Sequence, residues 1–273
     1  MQEVPLSKSL ISDSEDRHLT LFVGRRIIYV SARSVTDGEN AVLAAIPTDI
    51  TAPSLTKAVQ DAVYANPMLL LPFAKVTVII DARRFFWIPA ECADIASDTA
   101  TAMGFDIGHT DCCLTASGDN INTLAMITES SLVNFIRRTF PDAVITHPAA
   151  VLVRYLARRS LTGSRGVHVD IGPENMTVAV SDTTGFTLCG SYRPTGVDSQ
   201  TYYVIAAAKT AGVDPAETEF VLSGSPDARA ALTQRLRQFA QQVMPAIVPT
   251  AAYPGIADIQ QLPYTLLISP LCE

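Results

Sequence analysis

At 273 residues, with 48% hydrophobic and 17% charged residues, the chain can bury one large core or two modest ones and carries too few charges to be mostly disordered. Its formal net charge of -7 argues against nonspecific binding to nucleic acid or anionic lipid. Residues 1–16 read as a polar tail. Leu19 to Val23 and Ile27 to Ser31 are β-rich runs joined by Gly24-Arg25-Arg26, a hairpin signal, and Ala41 to Ile46 supplies a third strand. Ser54 is placed to cap a helix reaching about Ala65, with Leu55, Val59, Ala62 and Val63 along one face. Lys75 to Ile80 and Arg84 to Ile88 read as strands, followed by an Ala-rich helix from about Ala90 to Met103. Asn122 to Ile127 is a strand, and Glu129 to Phe140 is a helix capped by Thr128. Ala143 to Thr146 is briefly strand-like, and Pro148 opens a helix carrying Leu152, Tyr155 and Leu156.

After the linker Leu161 to Gly166 the pattern restarts. Val167 to Asp170, Met176 to Ser181 and Phe186 to Tyr192 read as three strands. Asp198 caps a helix to about Ala211, and Glu219 to Leu222 is a strand. Ser225-Pro226 starts a helix whose apolar stripe is Leu232, Leu236, Phe239 and Val243, and Tyr264 to Ser269 closes the chain as a strand. The expectation is an α/β protein of two halves, each a mixed sheet with helices. The halves span 17–160, with an insertion at about 73–117, and 161–273.

The N-terminus lacks the basic start and apolar run of a secretory signal. The most apolar stretch, Ala62 to Ala74, is interrupted by Asn66, Pro67 and Pro72 and is too short to span a bilayer. Five cysteines with no C-x-x-C spacing fit a reducing compartment, so a cytoplasmic location without membrane insertion is expected. Cys112-Cys113 reads as core or loop edge, against a reactive thiol. Trp87 with Phe85 and Phe86 reads as core packing, against an exposed strand that docks a partner. His18, His109 and His147 are scattered and suggest no metal cluster.

From His147 to Val180 the sequence reads HPAAVLVRYLARRSLTGSRGVHVDIGPENMTVAV. This resembles the core of the actin, heat-shock chaperone and sugar-kinase superfamily. Pro148-Ala149-Ala150 matches the start of that family's inter-lobe helix. Asp170-Ile171-Gly172, with Thr177 beyond, matches its second phosphate turn, and Val221-Leu222-Ser223-Gly224-Ser225 looks like its adenosine motif. The resemblance implies two ribonuclease H-like (actin-like) halves. It also implies, if nucleotide binds, an ATP and magnesium site drawn from Gly24, Arg25, Asp170, Gly172, Thr177, Ser223 and Gly224. Glycines let backbone N–H groups approach phosphate oxygens, and a carboxylate at a strand end can hold water on a metal ion. The stretch Asp198 to Gly224, the Phe85 to Pro89 strand and Pro270-Leu271-Cys272 are also similar to a bacterial family catalogued only as a domain of unknown function. That likeness implies an actin-like fold near the pilus-assembly and cell-division branch and brings no established activity.

The sequence departs from the superfamily pattern at the chemistry. Phe22 stands where the first phosphate hairpin carries its metal-organising Asp. The second turn reads Gly172-Pro173-Glu174-Asn175, in which Pro173 removes a backbone donor and Glu174 adds a negative charge. A carboxylate about 4 Å from a phosphate oxygen, at an effective dielectric near 20, repels it by roughly 4 kcal/mol. Ser223 replaces a glycine, and His147 replaces the acidic residue usual before the inter-lobe proline. Asp170 has two readings, a surviving ligand for metal-bound water or a strand-end turn residue, and His168 shares its face of the strand. The leading expectation is a non-catalytic scaffold that binds an unidentified protein partner and no cofactor. The alternative is a nucleotide-dependent ATPase or kinase in which Arg25 or Arg26 neutralises phosphate charge. A ribonuclease H-like nuclease is disfavoured, because such enzymes need converging carboxylates and the first strand offers none.

Overall fold

The computed structural model describes residues 13–34, 41–105, 108, 110–116, 121–160, 166–172, 174–182, 185–248, 253 and 259–272. The expected tail through residue 12, His109, the linker residues 161–165 and Pro173 lie outside the described residues. The chain divides into two units, Met1–Pro148 with Thr250–Ile256, and Ala149–Pro249 with Ala257–Glu273.

In the first unit, β1 (Arg17–Val23), β2 (Ile27–Ser34) and β3 (Val42–Pro47) form an antiparallel meander. Helix α1 (Leu55–Tyr64) follows, and the Ser54 hydroxyl caps it by accepting from Lys57 N at 3.1 Å. Strand β4 (Lys75–Ile80) returns parallel to β1, its run of Val78, Ile79 and Ile80 fully buried as a central parallel strand requires. The chain then leaves this sheet. Strands β5 (Arg84–Pro89), β6 (Thr110–Ala116) and β7 (Asn122–Glu129) make a separate antiparallel sheet in the order β5-β7-β6. Alternation along β5 turns Phe86 and Ile88 inward onto Ala125 and Ile127, under Ala96 and Ala100 of helix α2 (Ala96–Ala102). Helix α3 (Ser130–Thr139) leads to β8 (Val144–Thr146), parallel to β4, which completes a five-stranded sheet in the order β3-β2-β1-β4-β8.

Helix α4 (Pro148–Ser160) precedes the second unit's sheet. Strands β9 (Gly166–Ile171), β10 (Met176–Asp182) and β11 (Gly185–Tyr192) form a second meander. Helix α5 (Val197–Thr210), β12 (Glu219–Gly224), helix α6 (Pro226–Leu236) and β13 (Gln242–Pro245) follow, with β12 parallel to both β9 and β13. The order β11-β10-β9-β12-β13 repeats the first sheet strand for strand. Val167, Val169, Val178, Phe220 and Leu222 form its core with Val204 and Ala208 of α5 and Leu232 and Leu236 of α6. The fold is the expected α/β architecture of two mixed sheets with an insertion in the first half.

Five local expectations are corrected, the first being the cap of α3, which is Glu129 rather than Thr128, a residue of β7. Helix α6 stops at Leu236, so Phe239 and Val243 do not continue its stripe; Val243 instead pairs with Phe220 as part of β13. The C-terminal run Tyr264 to Ser269 is not a strand but the short helix α7 (Tyr264–Ile268), buried at every position. An apolar run buried on all sides carries no period that separates strand from helix. Helix α5 is capped at Gly196 rather than Asp198, and residues Ala90–Ile95 form a 3-10 segment ahead of α2. Among the described residues, no helix is long and apolar enough to cross a membrane.

Candidate functional site

Strands β9 and β12 end, and β10 begins, at a common level, and there the sequence motifs meet. The register sets Asp170 of β9 opposite Thr177 of β10 and beside Ser223 of β12. The Ser223 hydroxyl donates to Asp170 Oδ1 at 2.6 Å, with a longer 3.4 Å approach to Val169 O. His168 Nε2 lies 3.2 Å from the same hydroxyl oxygen. Because the single hydroxyl proton is given to the carboxylate, the imidazole must be the donor, with its proton on Nε2. Such a histidine cannot act as a base toward Ser223, and Ser223 is only 2% exposed. The cluster is a buried hydrogen-bonded tie between adjacent strands, not an activated nucleophile.

Gly224 follows on β12 with φ +117°, and a Cβ there would sit 2.4 Å from Ile171 O. Only glycine allows β12 to close against β9 at this point. The turn after β9 is similarly tight: Gly172 N donates to Asn175 O at 2.9 Å, and a Cβ on Gly172 would meet that oxygen at 3.0 Å. Glu174 is drawn toward Arg193, whose Nη2 lies 3.7 Å from Glu174 Oε2 while its Nε donates to Asn175 Oδ1 at 3.1 Å. The turn therefore answers its own negative charge with a cation from the segment after β11. Both partners are partly exposed, so this pair contributes well under about 1 kcal/mol.

A residue the sequence reading missed covers this cluster. The ring of Tyr264 on α7 stacks on His168 with centroids 5.3 Å apart and planes at 26°. Its hydroxyl donates to Ile247 O at 3.3 Å, and Tyr155 of α4 meets it edge-on at 6.1 Å. Arg229 Nη2 of α6 donates to Gln260 Oε1 at 2.8 Å, holding the segment before α7. Arg158 donates to Leu271 O beyond it. With Leu262, Tyr264 and Leu267 in place, the cavity beside Ser223 and Gly224 measures about 10 Å³. That is the lower limit for a single water molecule, whereas small-molecule pockets run to several hundred Å³. At these strand ends the Asp170 carboxylate is engaged by Ser223, and the space beside Gly224 is lined by Leu262, Tyr264 and Leu267. Among the described residues, no three His, Cys, Asp or Glu side chains are grouped to hold a metal ion.

Gly24 and Arg25 belong to the first unit. Gly24 N donates to Ile27 O at 3.1 Å, and Thr48 ties the turn by donating from Oγ1 to Arg25 O at 2.7 Å and from N to Arg26 O at 2.9 Å. The Arg25 and Arg26 side chains are exposed. Phe22 is buried and meets Tyr29 edge-on at 6.2 Å, so it is a core residue. His147 is buried against Phe85, ring centroids 4.4 Å apart, and its Nε2 donates to Ala82 O at 3.0 Å. Burial pushes its pKa down to about 4, so it is neutral at physiological pH. On β6, burial and the neighbouring Asp111 push the Cys113 thiol up to about 11, which keeps it protonated and inert at neutral pH.

These features can be set beside known proteins. The family described as "Protein of unknown function (DUF3822)" matches residues 8–243. No curated protein matches the chain. Among solved structures, a Bacteroides thetaiotaomicron protein with actin-like ATPase fold and unknown function superposes with a TM-score of 0.75 at 17% identity, covering 85% of this chain and 91% of that one. The PilM-PilN type IV pilus biogenesis complex gives a TM-score of 0.58 at 13% identity, covering 93% of this chain and 97% of that one. At such identities the likeness shows the fold, which is actin-like.

Proposed function

Given that this chain belongs to the DUF3822 family and has an actin-like fold, we propose that it is a non-catalytic scaffold that works through protein contacts rather than through nucleotide turnover. The observation that carries this reading is the filled strand-end site of the second unit. Tyr264 stacks on His168, Ser223 occupies Asp170, and a cavity of about 10 Å³ remains beside Gly224. In the first unit, the position of the missing carboxylate is used for packing by Phe22. Helix α7 is not a loose flap: Leu266, Leu267 and Ile268 are at most 1% exposed. Burying each such side chain is worth about 1.5–3 kcal/mol, so displacing the helix would cost several times that. The similarity to a protein solved as part of a pilus biogenesis complex is consistent with a partner-binding role.

Calorimetric titration of the purified protein with ATP and ADP, with and without magnesium, tests the proposal. A flat trace up to millimolar nucleotide is expected. Micromolar binding accompanied by phosphate release would replace the scaffold with an ATPase or kinase.

A further inference from the structure

In the second unit, α5 and α6 share a buried core and leave a groove at their outer side. Arg235 in the last turn of α6 lies 3.1 Å from Asp198 in the first turn of α5, so the two helices run antiparallel. Between them lies a groove of about 460 Å³ whose walls include Tyr202, Ile205, Ala206 and Lys209 from α5, with Gln238 and Phe239 from the turn after α6. Positions 198, 202, 205 and 209 recur at helical spacing, giving a continuous face roughly 16 Å long, or about three turns. Tyr202 is 68% exposed and Phe239 50% exposed. Phe239 has no ring partner among the described residues, and the ring of Tyr202 pairs with Tyr203 of its own helix, edge-on at 5.5 Å.

In the first unit the corresponding helices, α1 and α3, close on each other. Tyr64 packs edge-on against Phe135 at 5.8 Å, and Glu129 accepts from Leu55 N and Thr56 N at the start of α1. The α5–α6 pair has no such ring-to-ring closure among the described residues. Its charges are also unbalanced. Asp198 is answered by Arg235, while Lys209 has no ion-pair partner among the described residues. The groove is thus locally cationic in a chain of net charge -7.

We infer that the α5–α6 groove is the docking surface for a partner protein's amphipathic helix of about three turns, which sets aliphatic side chains between Tyr202 and Phe239 and a carboxylate against Lys209. This rests on the scaffold reading and names its partner surface. The occupant is helical because the groove is walled by two helices and the turn after one of them, with no strand edge to extend, and its length matches a short helix carrying anchors at i, i+3 or i+4, and i+7. It is acidic because the uncompensated charge is a lysine. Exposed Tyr and Phe on facing walls are the side chains that supply anchoring energy at interfaces.

The test is site-specific photo-crosslinking in the protein's own cells, with p-benzoylphenylalanine placed at Tyr202 or at Phe239 and the crosslinked peptide mapped by mass spectrometry. The expected result is one heterologous protein captured from both positions through an acidic, helix-periodic segment. Its yield should fall about tenfold in Lys209→Glu and persist in Lys209→Arg. Crosslinks into this chain or a second copy, a captured segment without acidic residues, yields indifferent to Lys209→Glu, or no crosslink at either position would overturn the assignment. Crosslinks from Leu114 on β6 with none from Tyr202 would overturn the groove and leave the scaffold standing. Nucleotide turnover would remove the scaffold whatever the crosslinks show.

Discussion

The two sheets carry opposite chemistry at the same place. The penultimate residue of β1 is Phe22, which pairs with Tyr29 on β2 and Ile79 on β4. The penultimate residue of β9 is Asp170, which pairs with Thr177 on β10 and Ser223 on β12. One register thus holds an aromatic and aliphatic triplet in the first unit and a hydrogen-bonded polar triplet in the second. The strand order is indifferent to which is used. What each triplet requires is completeness: a buried apolar set without gaps, or a buried polar set with every group partnered.

The most direct way to break the comparison is to exchange the chemistry. Phe22→Asp would bury a carboxylate against Tyr29 and Ile79 and should cost about 4 kcal/mol or more, read as a collapse of the unfolding midpoint, while Phe22→Leu should cost far less. A loss below about 1 kcal/mol for Phe22→Asp would mean that the first hairpin tolerates the carboxylate the superfamily carries there. Gly224→Ala comes next, at about 3 kcal/mol, because the new Cβ meets Ile171 O at 2.4 Å in a left-handed conformation. Thermal unfolding like that of the parent would show that β12 can move away from β9.

The buried His147 sharpens the comparison by pH. His147 is held at a pKa of about 4 against an ordinary 6.5, so the folded state resists a proton that the unfolded chain accepts. Its contribution is therefore fully present above pH 6.5 and lost progressively as the pH falls toward 4, about 3 kcal/mol in all. Denaturant unfolding across that range should show this slope, and a His147→Gln variant should flatten it. The smallest effect is expected from Asp170→Asn, which keeps an acceptor for Ser223 and should cost under about 1 kcal/mol, while Asp170→Ala strands the hydroxyl and should cost about 2. Equal losses in the two variants would mean that the charge, not the hydrogen bond, matters at this strand end.

Gly24, Gly172 and Ser223-Gly224 were legible in the sequence because each sits where a β-rich run ends and the backbone must turn tightly. Alternation also placed His168 on the face of Asp170, although it could not show that Ser223 joins them. That contact depends on the pairing of β9 with β12, which no local pattern encodes. Phe239 and Val243 were misread because they continue the helical spacing of Leu232 and Leu236 with no glycine or proline to stop it. The helix ends instead because Val243 is taken by a strand partner, Phe220. Tyr264 was hidden for the opposite reason: a run buried on every side offers no face to read, and its role comes from a ring stack with a residue far away in sequence.

Tyr264 is made well after β9 and β12, yet it covers a polar cluster built from those two strands. Until residues 259–272 have emerged from the ribosome, the second unit presents an open, partly apolar end, and only their arrival lets it close. Chains arrested before that point would expose the surface that chaperones and proteases recognise. The cover is therefore a late step in building this unit, made by a segment far in sequence from the strands it closes.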